Sequence, residues 1–430
     1  MAAVTITKST KRVPQGNLEG GGEQNYSMAI SSLMVLFFLF GFITSLNDIL
    51  IPYMKVIFQL NYTEAMLINS CFFGAYFVMS IPASKIIEKV GYKRGLVLGL
   101  LTAAFGAVLF YPAADSRAYG LFLGALFILA TGVVLLQVAG NPYVSILGKP
   151  ETASGRLTLT QAFNSLGTTL GPLLGTHFIL KSLPEIDTLN PEALSPSAVQ
   201  IPYVLIGVVL VIIGLVIAAL KLPVISRKKE ENEAMASPQH LSGKTSAFQY
   251  SHLVLGAVGI FAYVGAEVSI GSLLVNYIGL DSVKGLAEHE AGYFVPFYWG
   301  GAMVGRFLGA YILNKFKPAK VLVFNAALAA LLVLITIVAE GNVALVAILA
   351  IGFFNSIMFP TIFTLGIAGV GKFTEQASGI MSTAIVGGAL LPLLQGVATD
   401  MVGLRIAFII PVFCYLYIVW YGWKGHIEKH

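Results

Sequence analysis

Long apolar runs dominate this sequence and restrict it more than any other feature. They fall at about residues 29–53, 65–87, 95–114, 118–147, 156–180 and 201–222, and again at about 251–279, 291–314, 319–339, 342–370, 376–399 and 404–423. A helix needs roughly 20 apolar residues to cross a bilayer, and each run approaches or exceeds that length. Inside hydrocarbon an unpaired backbone N–H or C=O finds no water, so open sheets are excluded and the runs must be helices. The expected fold is therefore all-α and membrane-embedded, with 12 transmembrane helices. Composition agrees: 57% of the 430 residues are hydrophobic and 11% charged, against about 25% charged in soluble chains. So few charges cannot cover a water-facing surface, which excludes a soluble enzyme.

The runs divide six and six around the longest internal polar segment, from Pro223 to Tyr250, which contains Arg227, Lys228, Lys229, Glu230 and Glu231. The expected organisation is a tail at 1–28, a six-helix bundle at 29–222, a linker at 223–250, a second bundle at 251–423 and a tail at 424–430. An internal repeat supports two pseudo-symmetric bundles. Glu151, Ala153, Ser154 and Gly155 open helix 5, and Glu375, Ala377, Ser378 and Gly379 open helix 11, 224 residues later. Pro172-Leu-Leu and Pro392-Leu-Leu follow in the same order, 220 residues apart. Transporters built from such repeats hold their solute near the membrane midplane, between the halves.

Lys and Arg placement sets orientation. Of the 26, 20 fall on the side of the two tails and the loops after even-numbered helices. Five fall opposite, and Arg306 lies within a helix. Both termini are therefore expected in the cytoplasm of a bacterial inner-membrane protein. The first 28 residues lack a short apolar stretch leading to a cleavage site, so no cleaved signal is expected. Cys71 and Cys414 offer neither a disulfide framework nor zinc spacing, and no metal site is expected. No basic stripe interleaved with aromatics points to nucleic acid. Gly366-x4-Gly371-Lys372-Phe373 mimics a phosphate loop, but Phe373 stands where Mg2+ needs a hydroxyl and no strand precedes it, so nucleotide use is not expected.

An ionisable group inside the membrane costs roughly 2.5–3.5 kcal/mol on insertion scales and marks a functional candidate. The interior set is Asp48, Glu267 and Arg306, with His177 near the end of helix 5. Gly41, Thr44, Ser45 and Asp48 share one face of helix 1 at helical spacing, ending in a carboxylate. Asp48 reads as a protonatable cavity acid, or else as a helix-end aspartate among headgroups. Glu267 has no Lys or Arg three or four residues away. It is either paired with a cation on another helix, Arg306 being the candidate, or it faces the cavity to bind solute, a proton or Na+. Arg306 follows the glycine face of Gly301, Gly305 and Gly309, which suits close helix contact, and reads as a structural or gating cation.

Uncharged polar groups gather on two further helices. Helix 4 carries Gln137, Gly140, Asn141 and Ser145 on one face, with Pro142 breaking the backbone ladder. Helix 5 carries Thr158, Gln161, Ser165 and Thr168, with Asn164 one step around. An amide both donates and accepts without net charge, which suits a neutral polyol, although Asn and Gln also serve as glue between helices. Gln137, Asn141, Gln161 and Asn164 are candidate solute contacts, joined in the second half by Tyr263, Glu267, Asn276 and Asn355. Asn355-Ser356 before Pro360 looks like a break similar to that in helix 4. Tyr263, Tyr298 and Trp299 offer rings that could stack on a sugar.

Two six-helix halves, inside termini and a basic helix 2–3 loop resemble the major facilitator superfamily. Ser84-x3-Glu88-Lys89-x-Gly91-Tyr92-Lys93-Arg94 resembles its loop signature, with Ser84 where Gly is usual and Glu88 for Asp; Glu88 and Arg94 are thereby implied as gating or structural residues. Leu46 to Pro52, Ala139 to Val144, and Thr160 to Ser165 resemble the fucose:proton symporter family. That resemblance implies that Asp48 carries the coupling proton and that Gln161 and Asn164 contact sugar. Gln137 replaces the Glu of the fucose branch. With a helix 7 acid at Glu267, the chain is more similar to the glucose/galactose and N-acetylglucosamine branch.

The resulting expectation is symport of a hexose or N-acetylhexosamine with H+, or alternatively Na+, by alternating access. No cofactor beyond the co-transported ion is expected, and the working unit is expected to be a monomer in the bilayer. The rivals are an uncoupled facilitator and, from a different class, a membrane enzyme acting on lipid-linked sugar.

Overall fold

The computed structural model describes residues 26–57, 62–178, 197–223 and 244–428, with side chains described throughout except at 43–44, 46–57, 62–67, 69–70, 172–178 and 197–199. Each expected apolar run is helical: α1 (Tyr26–Ile57), α2 (Tyr62–Val90), α3 (Tyr92–Asp115), α4 (Tyr119–Ile146), α5 (Ala153–Phe178) and α6 (Ser197–Ala219) in the first half. The second half holds α7 (Ser251–Ile278), α8 (Val295–Lys315), α9 (Pro318–Val338), and the units α10 (Gly341–Gly366), α11 (Gly371–Val402) and α12 (Leu404–Gly425). No strand occurs among the described residues. Proline opens α8 and α9 at positions where a missing N–H costs no helical hydrogen bond. Between α2 and α3 the chain turns on Gly91 at φ 83°, a left-handed conformation that favours glycine.

Each bundle repeats the same packing. In the first half α1 lies on α5, α2 on α4 and α3 on α6; in the second, α7 lies on α11, α8 on α10 and α9 on α12. Glycine permits the closest of these contacts. A Cβ at Gly41 would overlap the Asn164 carbonyl of α5, and one at Gly387 would overlap the Phe261 carbonyl of α7. The halves meet through α2 with α11, α5 with α8, α4 with α11 and α5 with α10. These are again matched pairs under exchange of the bundles.

Outer faces carry exposed apolar side chains, including Phe77, Phe105, Leu215, Val346 and Phe413, as a lipid-facing surface requires. Among the described residues nine helices are long and apolar enough to cross a membrane. The remaining units are α1, with an apolar part at Tyr26–Phe42, and α5 and α8, which carry much of the polar set. The protein is multi-pass and membrane-embedded.

The structure corrects one expectation about breaks. Pro142 does not interrupt α4, which runs continuously to Ile146. The break is in α10, between helical segments Gly341–Asn355 and Met358–Gly366. Proline lacks the N–H that would bond the carbonyl four residues back, so Val138 and Ser356 are each left with a carbonyl free of that bond. Both find other donors: Ser378 Oγ bonds the Val138 carbonyl at 2.9 Å, and Arg306 Nε bonds the Ser356 carbonyl at 3.3 Å.

Candidate functional site

In the first half the amides form a directed relay. Gln161 Nε2 donates to Asn141 Oδ1 at 3.2 Å. Asn141 Nδ2 donates to Gln137 Oε1 at 3.4 Å, and Gln137 Nε2 donates to the Tyr76 hydroxyl of α2 at 2.9 Å. Asn141 is completely buried, whereas Gln137 and Gln161 are partly open. With one side-chain oxygen and two N–H groups per amide, Asn141 spends its capacity aligning the two glutamines. It is a buried link, and it meets no solute in this arrangement. Asn164 donates to the Phe37 carbonyl at 3.0 Å, directly at the close contact between α1 and α5. Leu36, Phe37, Phe40 and Leu136 line a small cleft beside Gln137.

The second half holds the charges. Tyr263, one helical turn before Glu267, donates to its Oε1 at 2.7 Å. Arg306 Nη2 stands 4.0 Å from that same oxygen. Tyr298 donates to the Glu267 carbonyl at 3.3 Å and accepts from Asn355 Nδ2 at 3.0 Å. Glu267 is therefore held by a phenol and faced by a guanidinium, and the pairing with Arg306 weighed from sequence is present. Both carboxylate partners sit in a largely buried setting, where the Coulomb attraction is screened less than at a surface.

Arg306 also reaches across to the other bundle. Its Nη1 donates to Ser165 Oγ on α5, while the Ser165 hydroxyl itself donates to the Gln161 carbonyl at 3.0 Å. One side chain thus connects the acid of α7, the break of α10 and the amide face of α5.

The defining pattern of the Major Facilitator Superfamily matches residues 33–385. The chain belongs to the major facilitator superfamily. A Brucella abortus protein named glucose/galactose transporter is 52% identical over 407 residues, covering 95% of this chain and 96% of the relative. The Escherichia coli L-fucose-proton symporter is 35% identical over 93% of each chain. The crystal structure of FucP in the outward conformation superposes with a TM-score of 0.82 at 32% identity, covering 94% of this chain and all of that one.

Within this superfamily fold, several sequence candidates occupy different places from the relay and the acid pair. Asp48 and His177 lie on α1 and α5, but their side chains fall outside the described residues. Asn276 is exposed near the end of α7, nine residues and roughly 13 Å along the axis from Glu267, so the two are not brought together. Tyr263 and Tyr298 are fully buried and use their hydroxyls internally, so neither offers a ring face to a sugar. Trp299 is 42% exposed and packs edge-on to Tyr298. Glu88 and Arg94 lie exposed at the α2–α3 turn, where the neighbouring Lys93 bonds the Ala218 carbonyl at 2.8 Å. Among the described residues no group of His, Cys, Asp and Glu could hold a metal ion.

Sequence reasoning missed Tyr76, Tyr415 and Gln395. Tyr76 ends the relay but sits on α2 among aromatic residues that read as lipid-facing. Tyr415 and Gln395 are completely buried on α12 and α11, and their side-chain polar atoms have no partner among the described residues. Gln395 is a lone amide in an apolar run, which was the available signal.

Proposed function

We propose that this chain is a proton-coupled symporter of a neutral hexose, glucose or galactose being the first choice, in the bacterial inner membrane. One observation carries the reading: a neutral amide relay on one bundle faces a buried acid–arginine pair on the other, joined through Ser165. Amides match sugar hydroxyls as donors and acceptors, and a buried carboxylate gives a proton a place to bind without leaving net charge. The name of the Brucella abortus relative supports the sugar, and that of the Escherichia coli relative supports the proton. Gln137 favours the hexose over fucose.

Binding of a proton at Asp48 or Glu267 removes a negative charge from the interior, which lowers the cost of moving the loaded carrier. Loss of the charge at Glu267 also frees Arg306 to rest on Ser165 and the Ser356 carbonyl. The bundles then rock around the site. The Lys and Arg bias supports cytoplasmic termini, and a single chain supplies both faces of the site, which supports a monomer.

The test is uptake by proteoliposomes with a panel of labelled glucose, galactose, N-acetylglucosamine and fucose under imposed H+ or Na+ gradients. Glucose or galactose driven by H+ is expected. Uptake driven by Na+ alone would reassign the ion, and a modified sugar recovered from the vesicles would point to an enzyme.

A further inference from the structure

Ala-Ser-Gly occurs at 153–155 where α5 begins and again at 377–379 near the start of α11. Both copies lie at the end of the molecule that carries the α2–α3 turn, and both meet the opposite bundle. Ser154 Oγ is 2.5 Å from Thr364 Oγ1 on α10. Thr364 directs its own hydroxyl to the Pro360 carbonyl at 2.9 Å, so Ser154 is the donor across the gap. Ser378 Oγ donates to the Val138 carbonyl of α4 at 2.9 Å, the carbonyl that Pro142 leaves without a helical donor.

The glycines make a matching second set. A Cβ at Gly155 would overlap the Asn314 side chain and stand 3.1 Å from the Ala310 carbonyl on α8. One at Gly379 would stand 2.7 Å from Ser84 Cβ and 2.9 Å from the Ser80 carbonyl on α2. Because α4 corresponds to α10 and α2 to α8, these are two copies of one arrangement. Ser154, Ser378 and Ser84 are all at most 4% exposed, so water is excluded from both copies.

We infer that the two Ala-Ser-Gly segments form a paired clasp that closes the molecule at this end and must open for solute to pass there. Each glycine lets a helix approach the backbone of the opposite bundle, and each serine supplies a hydrogen bond that exists only while the bundles touch. Opening breaks all four contacts together, which makes the end switch between shut and open. This rests on the carrier reading, and it places the closed end opposite to the opening of an outward-facing conformation.

The test uses spin labels at Lys89 and Lys372, exposed on α2 and at the start of α11, in full-length protein with Cys71 and Cys414 replaced by Ala. Pulsed electron-spin distances in lipid nanodiscs are expected to be mainly short in the parent. Gly155→Ala and Gly379→Ala each insert a methyl into the contact and are expected to shift most molecules to the longer separation. Ser154→Ala and Ser378→Ala add no bulk, and each is expected to lower the closed-to-open ratio about fivefold. These serine variants carry the test if the glycine variants fail to fold. Gly74→Ala, with nothing within 4 Å of the added atom, is expected to leave the distances unchanged. Parental distances in both serine variants would overturn the clasp. Uptake measured on the same parent protein separates the two ideas: no uptake counts against the carrier reading, whereas normal uptake with unmoved distances counts against the clasp alone.

Discussion

Arg306 of α8 donates to Ser165 of α5, so a cation of one bundle is seated on the polar face of the other. Its remaining nitrogens bond the Ser356 carbonyl and face Glu267 at 4.0 Å. The charge state of Glu267 is thereby linked to a contact between bundles.

Removing Arg306 leaves Glu267 with Tyr263 alone. Breaking a buried pair from one side strands the other charge, at a cost that reaches about 3–5 kcal/mol in full burial; the 4.0 Å separation and partial exposure place this case lower, at about 2 kcal/mol. Arg306→Ala is expected to lower the melting temperature in detergent. Adding Glu267→Gln to that variant is expected to restore much of the loss, because the stranded charge is gone.

Asn141 touches both glutamines of the relay and no open space. Asn141→Ala is expected to weaken sugar binding about 5- to 100-fold, the range for leaving buried polar groups unpaired. Isothermal titration calorimetry on purified protein checks it. Affinity within twofold of the parent would show that Gln137 and Gln161 hold their positions unaided.

Gly41 lies where α1 meets the backbone of α5 at Asn164. Gly41→Ala is expected to destabilise the protein by about 1–3 kcal/mol through overpacking, and to weaken sugar binding because Asn164 must move. Gly74→Ala is the neutral comparison in the same melting series.

Asp48 and its neighbours on α1 remain the proposed route for the proton. Asp48→Asn is expected to abolish accumulation of sugar driven by a proton gradient while preserving exchange of labelled for unlabelled sugar. Accumulation at the parental level would remove Asp48 from coupling.

The architecture was legible in the sequence because lipid permits so few solutions: twelve apolar runs and a repeat leave little besides two six-helix bundles. Charges were legible for the same reason, since Glu267 and Arg306 stand out against an apolar background. Breaks were read less well. Pro142 and Pro360 look alike as residues, yet α4 absorbs its proline and α10 does not, and the difference lies in which donor meets the freed carbonyl. Asn141 and Tyr263 were read as solute contacts because their types suit sugar. Their burial follows from which face of α4 and α7 turns inward, which helical periodicity alone does not fix when nearly every position is apolar. Tyr76 became part of the site only through packing of α2 on α4.

The central claim is that the amide relay and the acid pair, on different bundles, act on one bound sugar. A double-mutant cycle on sugar affinity tests it most directly, with Gln161→Ala and Glu267→Gln measured singly and together by calorimetry. Groups that share one ligand are expected to depart from additivity by about 0.5 kcal/mol or more, a factor of at least about 2.3 in Kd. Strict additivity, with both single variants weakened, would contradict a shared site.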